Sequence, residues 1–278
     1  MAFGIATGVP FVSETQWAPL WLGAILLVGI SFVDDMIGLP VLARLVSHFL
    51  IAGGFAILVL PGRSNWWFIP MIIAIVWMIN LYNFMDGIDG LAGGMAVFGF
   101  GFLSIAAWLS GHSPLALINA SIVGGAAAFL LFNFHPARVF LGDTGSTAFG
   151  FLAAGIGLIG WRDGVWSLWL PFLVFSPFII DATVTLLKRI LKGEKFWQAH
   201  RSHHYQRLVL NGWGHRKTAL AEYGLMTACG LCALVFQWGP TPVRVAIILL
   251  WVAGFWLLAR AVTLVEHDRT GKTVLNAN

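Results

Sequence analysis

The sequence predicts an all-α membrane protein: a polytopic transmembrane helix bundle with about nine spanning helices in one domain, residues 1–278. Hydrophobic residue types make up 59% of the 278 residues and charged types only 10%, less than half the roughly 25% of an ordinary soluble domain. Mean hydropathy is +0.84. A soluble fold of this size could not hide so much apolar surface, so the composition argues against a soluble enzyme, a nucleic-acid-binding protein and a disordered chain.

Nine apolar segments approach the roughly 20 residues that a helix needs to cross a bilayer. They run over 17–33, 41–60, 66–83, 91–109, 114–134, 146–160, 165–187, 219–237 and 243–262. The earlier apolar stretch, 2–12, is too short to cross and has the character of a helix end whose beginning is absent. No long polar linker separates the segments, which predicts a single membrane domain.

The basic residues assign one side of the membrane to the cytoplasm. If the nine segments cross alternately, Arg63, Arg162 and Arg244 fall on one side and the other 13 of the 16 Lys and Arg fall on the opposite side. Cytoplasmic loops of membrane proteins are enriched in Lys and Arg. We therefore expect the loop 188–218 and the C-terminus to lie in the cytoplasm.

Carboxylates and imidazoles collect on that same cytoplasmic side, although they come from loops spread over some 170 residues of the chain. Five aspartates lie at helix ends there, and a sixth lies about two turns inside a helix that ends there. Four histidines join them. The set is Asp34, Asp35, Asp86, Asp89, Asp143, Asp181, His135, His200, His203 and His204.

The first two motifs are rich in oxygen ligands. Asp34-Asp35 closes a predicted span, where two adjacent carboxylates are costly unless a cation offsets them. In the second motif, 80–91, a spacing of three places Asn80, Asn83, Asp86 and Asp89 near one helical face. Single Asn or Asp residues often only cap turns. The complete set of hard oxygen side chains suits a divalent cation and a diphosphate instead.

The third motif, 133–146, contains Asn133, Phe140 and Asp143 before the next span. Asp143 is placed either to cap the helix N-terminus or to hold a metal that bridges to an anion at that helix end. The fourth motif, 199–207, carries three histidines in a strongly basic loop. The positive charge of this loop is explained by its cytoplasmic position. A zinc site is disfavoured because no cysteine is near. We therefore expect the histidines to contact a phosphate or a sugar.

These four motifs, in this order, resemble the polyprenyl-phosphate N-acetylhexosamine-1-phosphate transferases, glycosyltransferase family 4. The resemblance covers about residues 1–262, and the form of the fourth motif is similar to the O-antigen or capsule branch. It implies transfer of a sugar 1-phosphate from a UDP-N-acetylhexosamine to undecaprenyl phosphate with release of UMP. It also implies a multi-pass protein of the bacterial inner membrane with its active site facing the cytoplasm, acting at the start of cell-envelope polysaccharide synthesis.

The resemblance further implies a cofactor and residue roles. The cofactor is Mg²⁺, with Mn²⁺ as an alternative, and Asp143 is its ligand. Asp34 and Asp35 match the paired acids that activate or orient the lipid phosphate, and they form the catalytic set with Asp143. The implied substrate-binding residues are Asn83, Asp86, Gly87, Asp89, Asn133, Phe140, His203 and His204, with Phe140 stacking on uracil and Asp89 near it.

The sequence leaves activity, function class and substrate sugar open. Family members carry further N-terminal helices and a basic loop, whereas this chain begins with Met1-Ala2-Phe3, similar to the sequence just after that loop. Weak activity of the chain as written is therefore expected. A membrane transporter and an inactive remnant of the transferase are the alternative functions. The sequence fixes neither the sugar nor the oligomeric state, with a homodimer among the options.

Overall fold

The computed structural model describes residues 17–60, 67–195 and 200–275, and within these ranges the chain forms helices and connecting loops without a strand. The all-α prediction is confirmed. The helices are α1 (Ala18–Ile37), α2 (Val41–Val59), α3 (Phe68–Phe84), α4 (Leu91–Leu109), α5 (Ser113–Asn133), α6 (Gly142–Arg162), α7 (Trp169–Val174), α8 (Ser176–Leu191), α9 (His204–Leu208), α10 (Gly214–Trp238) and α11 (Thr241–Leu275). A π-helical turn, Val209–Trp213, joins α9 to α10. The apolar stretch 2–12 lies outside the described residues.

The number of long apolar helices differs from the nine predicted spans. Seven described stretches are long and apolar enough to cross a membrane: α1, α2, α4, α5, α6, the continuous His204–Trp238 and the Thr241–Glu266 part of α11. Helix α3 is apolar but has 17 residues, which at 1.5 Å per residue is about 26 Å, a little less than a bilayer core of about 30 Å. The protein is a multi-pass membrane protein.

The predicted span 165–187 is not one helix. It is divided at Phe175 into α7 and α8. Pro177 has no N–H to give to the carbonyl of Leu173, so the regular helical ladder cannot continue there. The Ser176 hydroxyl donates to that carbonyl at 2.7 Å and satisfies it in place of the backbone.

Helix α6 is the centre of the bundle and contacts α1 and α3 most extensively. In its most apolar 18-residue stretch 78% of residues are buried, against 11% for α11, which presents most of its surface outward. Close packing against α3 depends on Gly150, because a Cβ there would lie 2.5 Å from the Met78 carbonyl oxygen. Small residues at helix contacts are the usual means of close approach in membranes. The acidic N-terminus of α6 is thereby fixed beside the C-terminal ends of α1 and α3.

Candidate active site

One arginine joins two of the predicted catalytic acids. Arg44, in the first turn of α2, donates through Nη1 to Asp34 Oδ2 at 3.1 Å and to Asp143 Oδ2 at 3.2 Å. Asp34 is 7% exposed and also accepts from the Leu39 N–H at 2.6 Å. The structure thus brings the end of α1 and the start of α6 together around one cation, which offsets part of the cost of burying Asp34.

The second acid of the pair faces outward and ties α1 to α6 directly. Asp35 is exposed, and its Oδ2 accepts from the Thr144 hydroxyl at 2.7 Å and the Thr144 N–H at 3.3 Å. Asp143 lies in the first turn of α6 and is not the N-cap, which is Leu141. Its side chain faces Arg44, so it is available for charge chemistry rather than for capping.

The expectation that Asn80, Asn83, Asp86 and Asp89 share one helical face is wrong for the two acids. Helix α3 ends at Phe84, and Asp86 and Asp89 lie in the turn that follows. Gly90 adopts φ of +78°, which favours glycine and starts the turn into α4. Only Asn80 and Asn83 remain on the helix.

Asp86 lies near Asp143, in the turn that packs beneath the histidine segment. Burial, together with the neighbouring charge of Asp143, raises the pKa of Asp86 from 3.8 to about 7. Asn83, on the last turn of α3, lies beside Asp143. Four acids from three segments, Asp34, Asp35, Asp86 and Asp143, therefore surround a region in which Arg44 supplies positive charge.

Asp89 is held between two histidines from distant segments. His135 Nδ1 lies 2.7 Å from Oδ2, His215 Nδ1 lies 3.0 Å from Oδ1, and the Ala137 N–H donates to Oδ2 at 3.2 Å. Burial acts to raise the pKa of Asp89, but these hydrogen bonds outweigh it and hold that pKa below its ordinary value.

The same three side chains place potential metal-ligand atoms within 4.8 Å of one another. Asp89 Oδ2 accepts from His135 and from the Ala137 N–H, whereas His215 Nδ1 lies within ion-pair distance of Oδ1. Hard cations such as Mg²⁺ prefer oxygen ligands. The geometry therefore describes a hydrogen-bonded clamp on Asp89.

Asn133 and Phe140 occupy contrasting environments beside this clamp. Asn133 is buried, accepts from the Gly90 N–H at 3.0 Å and donates to the Val139 carbonyl at 2.8 Å. Its amide thus holds the loop 134–141 against the turn before α4. Phe140 is 74% exposed, so the face of its ring is open to a planar partner.

The predicted histidines lie on either side of the start of α9. His203 is buried and stacks on Tyr205 and Phe84, with ring centroids 5.8 and 6.4 Å apart. Tyr205 donates its hydroxyl to the Phe84 carbonyl at 3.0 Å, and a Cβ at Gly87 would collide with that hydroxyl. His204 is partly buried and lies against Asp181. The segment is therefore docked onto the end of α3, next to Asp86.

Three residues of this site have roles that sequence reasoning missed. In the sequence Arg44 contributes only to the charge asymmetry that predicts topology, although it follows Asp34 by ten residues across a short turn. None of the four sequence motifs includes His215, and the sequence predicts only the position of Asp181 and not its partner. The available signal for Asp181 was a charged residue inside an apolar helix, which usually marks a functional site or a buried partner.

Fold and site together define a class: a multi-pass membrane protein with clustered carboxylates and imidazoles at the ends of its helices. The family model described as glycosyl transferase family 4 matches residues 17–161, just over half of the chain. The chain belongs to this family.

Curated relatives agree with that assignment. The chain is 26% identical, over 95% of its length and 77% of the relative's, to a probable undecaprenyl-phosphate N-acetylglucosaminyl 1-phosphate transferase of Bacillus subtilis (strain 168). It is 28% identical to the phospho-N-acetylmuramoyl-pentapeptide-transferase of Halalkalibacterium halodurans, over 72% of the chain and 68% of that protein. The corresponding Listeria welshimeri protein is 30% identical over 62% of the chain and 53% of its own length.

Proposed function

We propose that this protein is a phosphoglycosyl transferase that moves a sugar 1-phosphate from a UDP-sugar to undecaprenyl phosphate. One observation carries the proposal: acids from three separate segments meet at the ends of apolar helices, around Arg44. Phosphoryl transfer needs positioning and charge neutralisation more than covalent help from the protein. The names of the relatives, a probable undecaprenyl-phosphate N-acetylglucosaminyl 1-phosphate transferase and phospho-N-acetylmuramoyl-pentapeptide-transferases, support this proposal.

The acceptor is proposed to reach the site from the bilayer on the cytoplasmic side of a bacterial inner membrane. Lys188 and Arg189 end α8 on the same side as the acids, which agrees with the distribution of basic residues along the chain. The outward faces of α1 and α2 are apolar next to Asp34 and Arg44, with Leu42 72% and Ile37 70% exposed. Such surface suits a lipid chain whose phosphate reaches the acids.

Mg²⁺, or Mn²⁺ in its place, is proposed as the cofactor, with Asp143 as its principal ligand. The donor set fits, because Asp34 and Asp143 already direct one oxygen each at a shared cation, Arg44. Asp35, Asp86 and Asn83 add oxygen atoms nearby, the type of ligand that Mg²⁺ prefers. When bound, the ion would neutralise charge on the diphosphate.

For the lipid phosphate we assign Asp35 and Arg44 as contacts. The Arg44 side chain is 36% exposed, and a guanidinium that remains accessible suits a phosphate. Asp35 is exposed and fixed by Thr144, so it is placed to accept a proton from the lipid phosphate. Asp34, which is buried, holds Arg44 in position.

For the nucleotide we assign the turn 86–90 and the loop after α5. The exposed ring of Phe140 suits stacking on a uracil. Stacking of a base on an aromatic side chain contributes about 1–3 kcal/mol. Asp89, fixed by its two histidines, and Gly87, with no side chain, lie at the turn that would meet the nucleotide. Asn83 and Asn133 border this region, the latter through the loop that it holds.

The reaction balances without a redox partner. An oxygen of the lipid phosphate forms a bond to the β-phosphorus of the UDP-sugar. The bond from that phosphorus to the oxygen bridging to the α-phosphorus breaks, and UMP leaves with the oxygen. Asp35 takes the proton of the lipid phosphate, and His203 and His204 border the diphosphate. The products are a lipid diphosphate sugar and UMP.

An N-acetylhexosamine is the proposed sugar, which the relatives' names support. The start of O-antigen or capsule synthesis is the proposed process, on the basis of the form of the histidine motif alone. Purified protein given undecaprenyl phosphate, Mg²⁺ and a panel of labelled UDP-sugars tests this. We expect labelled lipid and UMP in equal amounts with at least one acetylated sugar. Release of UMP without labelled lipid, or no product across the panel, would contradict the proposal.

A further inference from the structure

Asp181, a buried acid on α8, collects hydrogen bonds from the start of the histidine segment. Its Oδ1 accepts from the His204 N–H at 2.8 Å, from His204 Nδ1 at 2.9 Å and from the Thr185 hydroxyl at 3.1 Å. Its Oδ2 accepts from the Tyr205 N–H at 3.2 Å. The side chain is 8% exposed. A carboxylate with so many donors is satisfied within the protein and has no need of a bound cation.

These contacts fix both the backbone and the ring of His204. The two backbone N–H groups open α9, where such groups lack helical partners. The contact at Nδ1 requires that this nitrogen carries the proton, because a carboxylate can only accept. The neutral ring then has its lone pair on Nε2, a buried atom with no hydrogen-bond partner among the described residues. A buried polar atom without a partner is costly unless a ligand meets it.

The contacts of Asp181 differ from those of a residue that only caps a helix. A cap would engage the backbone alone, whereas Asp181 also orients one ring nitrogen of a residue in the candidate site. His203 lies on the other side of the same carboxylate, with Nδ1 3.6 Å from Oδ1. Asp181 lies 23 residues before His204 in the chain. The placement of α8 therefore determines where the His204 ring lies.

We infer that Asp181 is a positioning residue that holds His204 in the Nδ1–H form, so that the lone pair on Nε2 is left to accept a hydrogen bond from a hydroxyl of the substrate sugar. The role of Nε2 toward the substrate rests on the proposed transferase function, whereas the contact between Asp181 and His204 does not. A histidine whose tautomer is set by a carboxylate on its other nitrogen is a recurrent device at functional sites. Asp181 acts through His204 and does not touch the reacting atoms.

The first test needs no activity. Nitrogen-15 magnetic resonance of histidine-labelled protein in detergent reports which ring nitrogen carries the proton, and the His204 signal is assigned by its loss in His204→Gln. We expect the Nδ1–H form in the wild type and a changed signal in Asp181→Asn. An Nε2–H form in the wild type, or an unchanged signal in Asp181→Asn, would overturn the inference. This measurement does not depend on turnover, so its result distinguishes failure of the inference from failure of the proposed function.

The second test is a double-mutant cycle in the transfer assay. Asp181→Asn should lower kcat by about tenfold or more, the scale of losing a partner that orients a functional histidine. In the His204→Gln background the same change should have little further effect, because both substitutions remove one unit. Independent, multiplying losses would show a general structural role and would contradict the inference.

Thr185→Val is the matched control, since it removes a donor to Asp181 without touching His204. We expect near wild-type kcat and an unchanged His204 signal from it. Asn at 181 retains an oxygen that can accept from the backbone N–H groups, so Asp181→Asn should keep most of the cap.

Discussion

The acids of this protein form two groups that differ in how their oxygens are satisfied. Around Arg44, the oxygens of Asp34 and Asp143 share one cation, and Asp35 and Asp86 add further negative charge. Around the histidines, Asp89 and Asp181 each accept from several N–H donors. The first group is open to another cation and the second is closed. Acids that cluster on one face of the membrane therefore need not serve one chemical purpose.

The largest effect is expected from breaking the open group. Asp143→Asn removes a hard anionic ligand, and the transfer rate should fall by roughly two to three orders of magnitude, as when one preorganised electrostatic group is lost from an active site. Initial rates in membranes with equal protein levels measure this. Asp163→Asn, at the opposite end of α6 and paired with Arg162, is the matched control and should stay near wild type. Near-normal turnover in Asp143→Asn would remove it from the site.

A smaller effect is expected at the cation that Asp34 and Asp143 share. Arg44→Gln should raise the KM for undecaprenyl phosphate by about tenfold, because a charge-assisted hydrogen bond contributes about 1.5–3 kcal/mol. Arg44→Lys should recover part of this affinity, since it restores charge but not the planar fork. An unchanged KM for the lipid, with a raised KM for the nucleotide, would place Arg44 on the other substrate.

The raised pKa of Asp86 gives the open group a pH dependence opposite in sign to that of Asp89 in the closed group, whose pKa is lowered. In the folded protein without divalent cations this pKa is about 7, above the ordinary value, so the folded state binds the proton more tightly. The resulting stability is fully present below about pH 4 and is lost as the pH rises through 7. The melting temperature in detergent with a chelator should fall by a few degrees between pH 5 and pH 8. Asp86→Asn should flatten that curve, and an equal fall in the variant would assign the effect elsewhere.

The smallest effect is expected in the closed group at Asp89. His215→Gln removes one of the clamping imidazoles but leaves His135 and the Ala137 N–H. The KM for the UDP-sugar should rise several-fold with kcat almost unchanged, because the carboxylate is loosened and not removed. His112→Gln, at the N-cap of α5, serves as a control histidine outside this site. A loss of kcat larger than the change in KM would show that the clamp does more than hold Asp89.

The sequence predicts the helical bundle and the clustering of its acids better than it predicts which residues are bonded to those acids. Apolar length locates a span such as 91–109, which is α4 in the structure, because a bilayer imposes that length on any crossing helix. The proximity of Asp34 and Asp143 followed from placing helix ends on one face. The break at Phe175 was missed even though Pro177 was visible, because hydropathy reports apolar length and not backbone continuity.

Partners that depend on helix orientation could not be predicted in the same way. That Arg44 bridges two acids depends on how α2 leaves the turn after α1, and the contact of Asp181 with His204 depends on the packing of α8 beneath α9. Asp86 and Asp89 were placed on a helix because a spacing of three fits one. Gly87 between them and Gly90 directly after them allow a turn instead, as the positive φ of Gly90 shows. Local spacing identifies residue types for a site, whereas tertiary packing decides which atoms meet.

The most direct test of the difference between the two groups is Mn²⁺ binding to the purified protein, followed by electron paramagnetic resonance in place of Mg²⁺. The wild type should bind the ion in the absence of substrate. Binding should be lost in Asp143→Asn and retained in Asp89→Asn and Asp181→Asn, since only the open group offers carboxylate oxygens to a cation. Binding that persists in Asp143→Asn, or that disappears in Asp181→Asn while the fold is intact, would contradict the account.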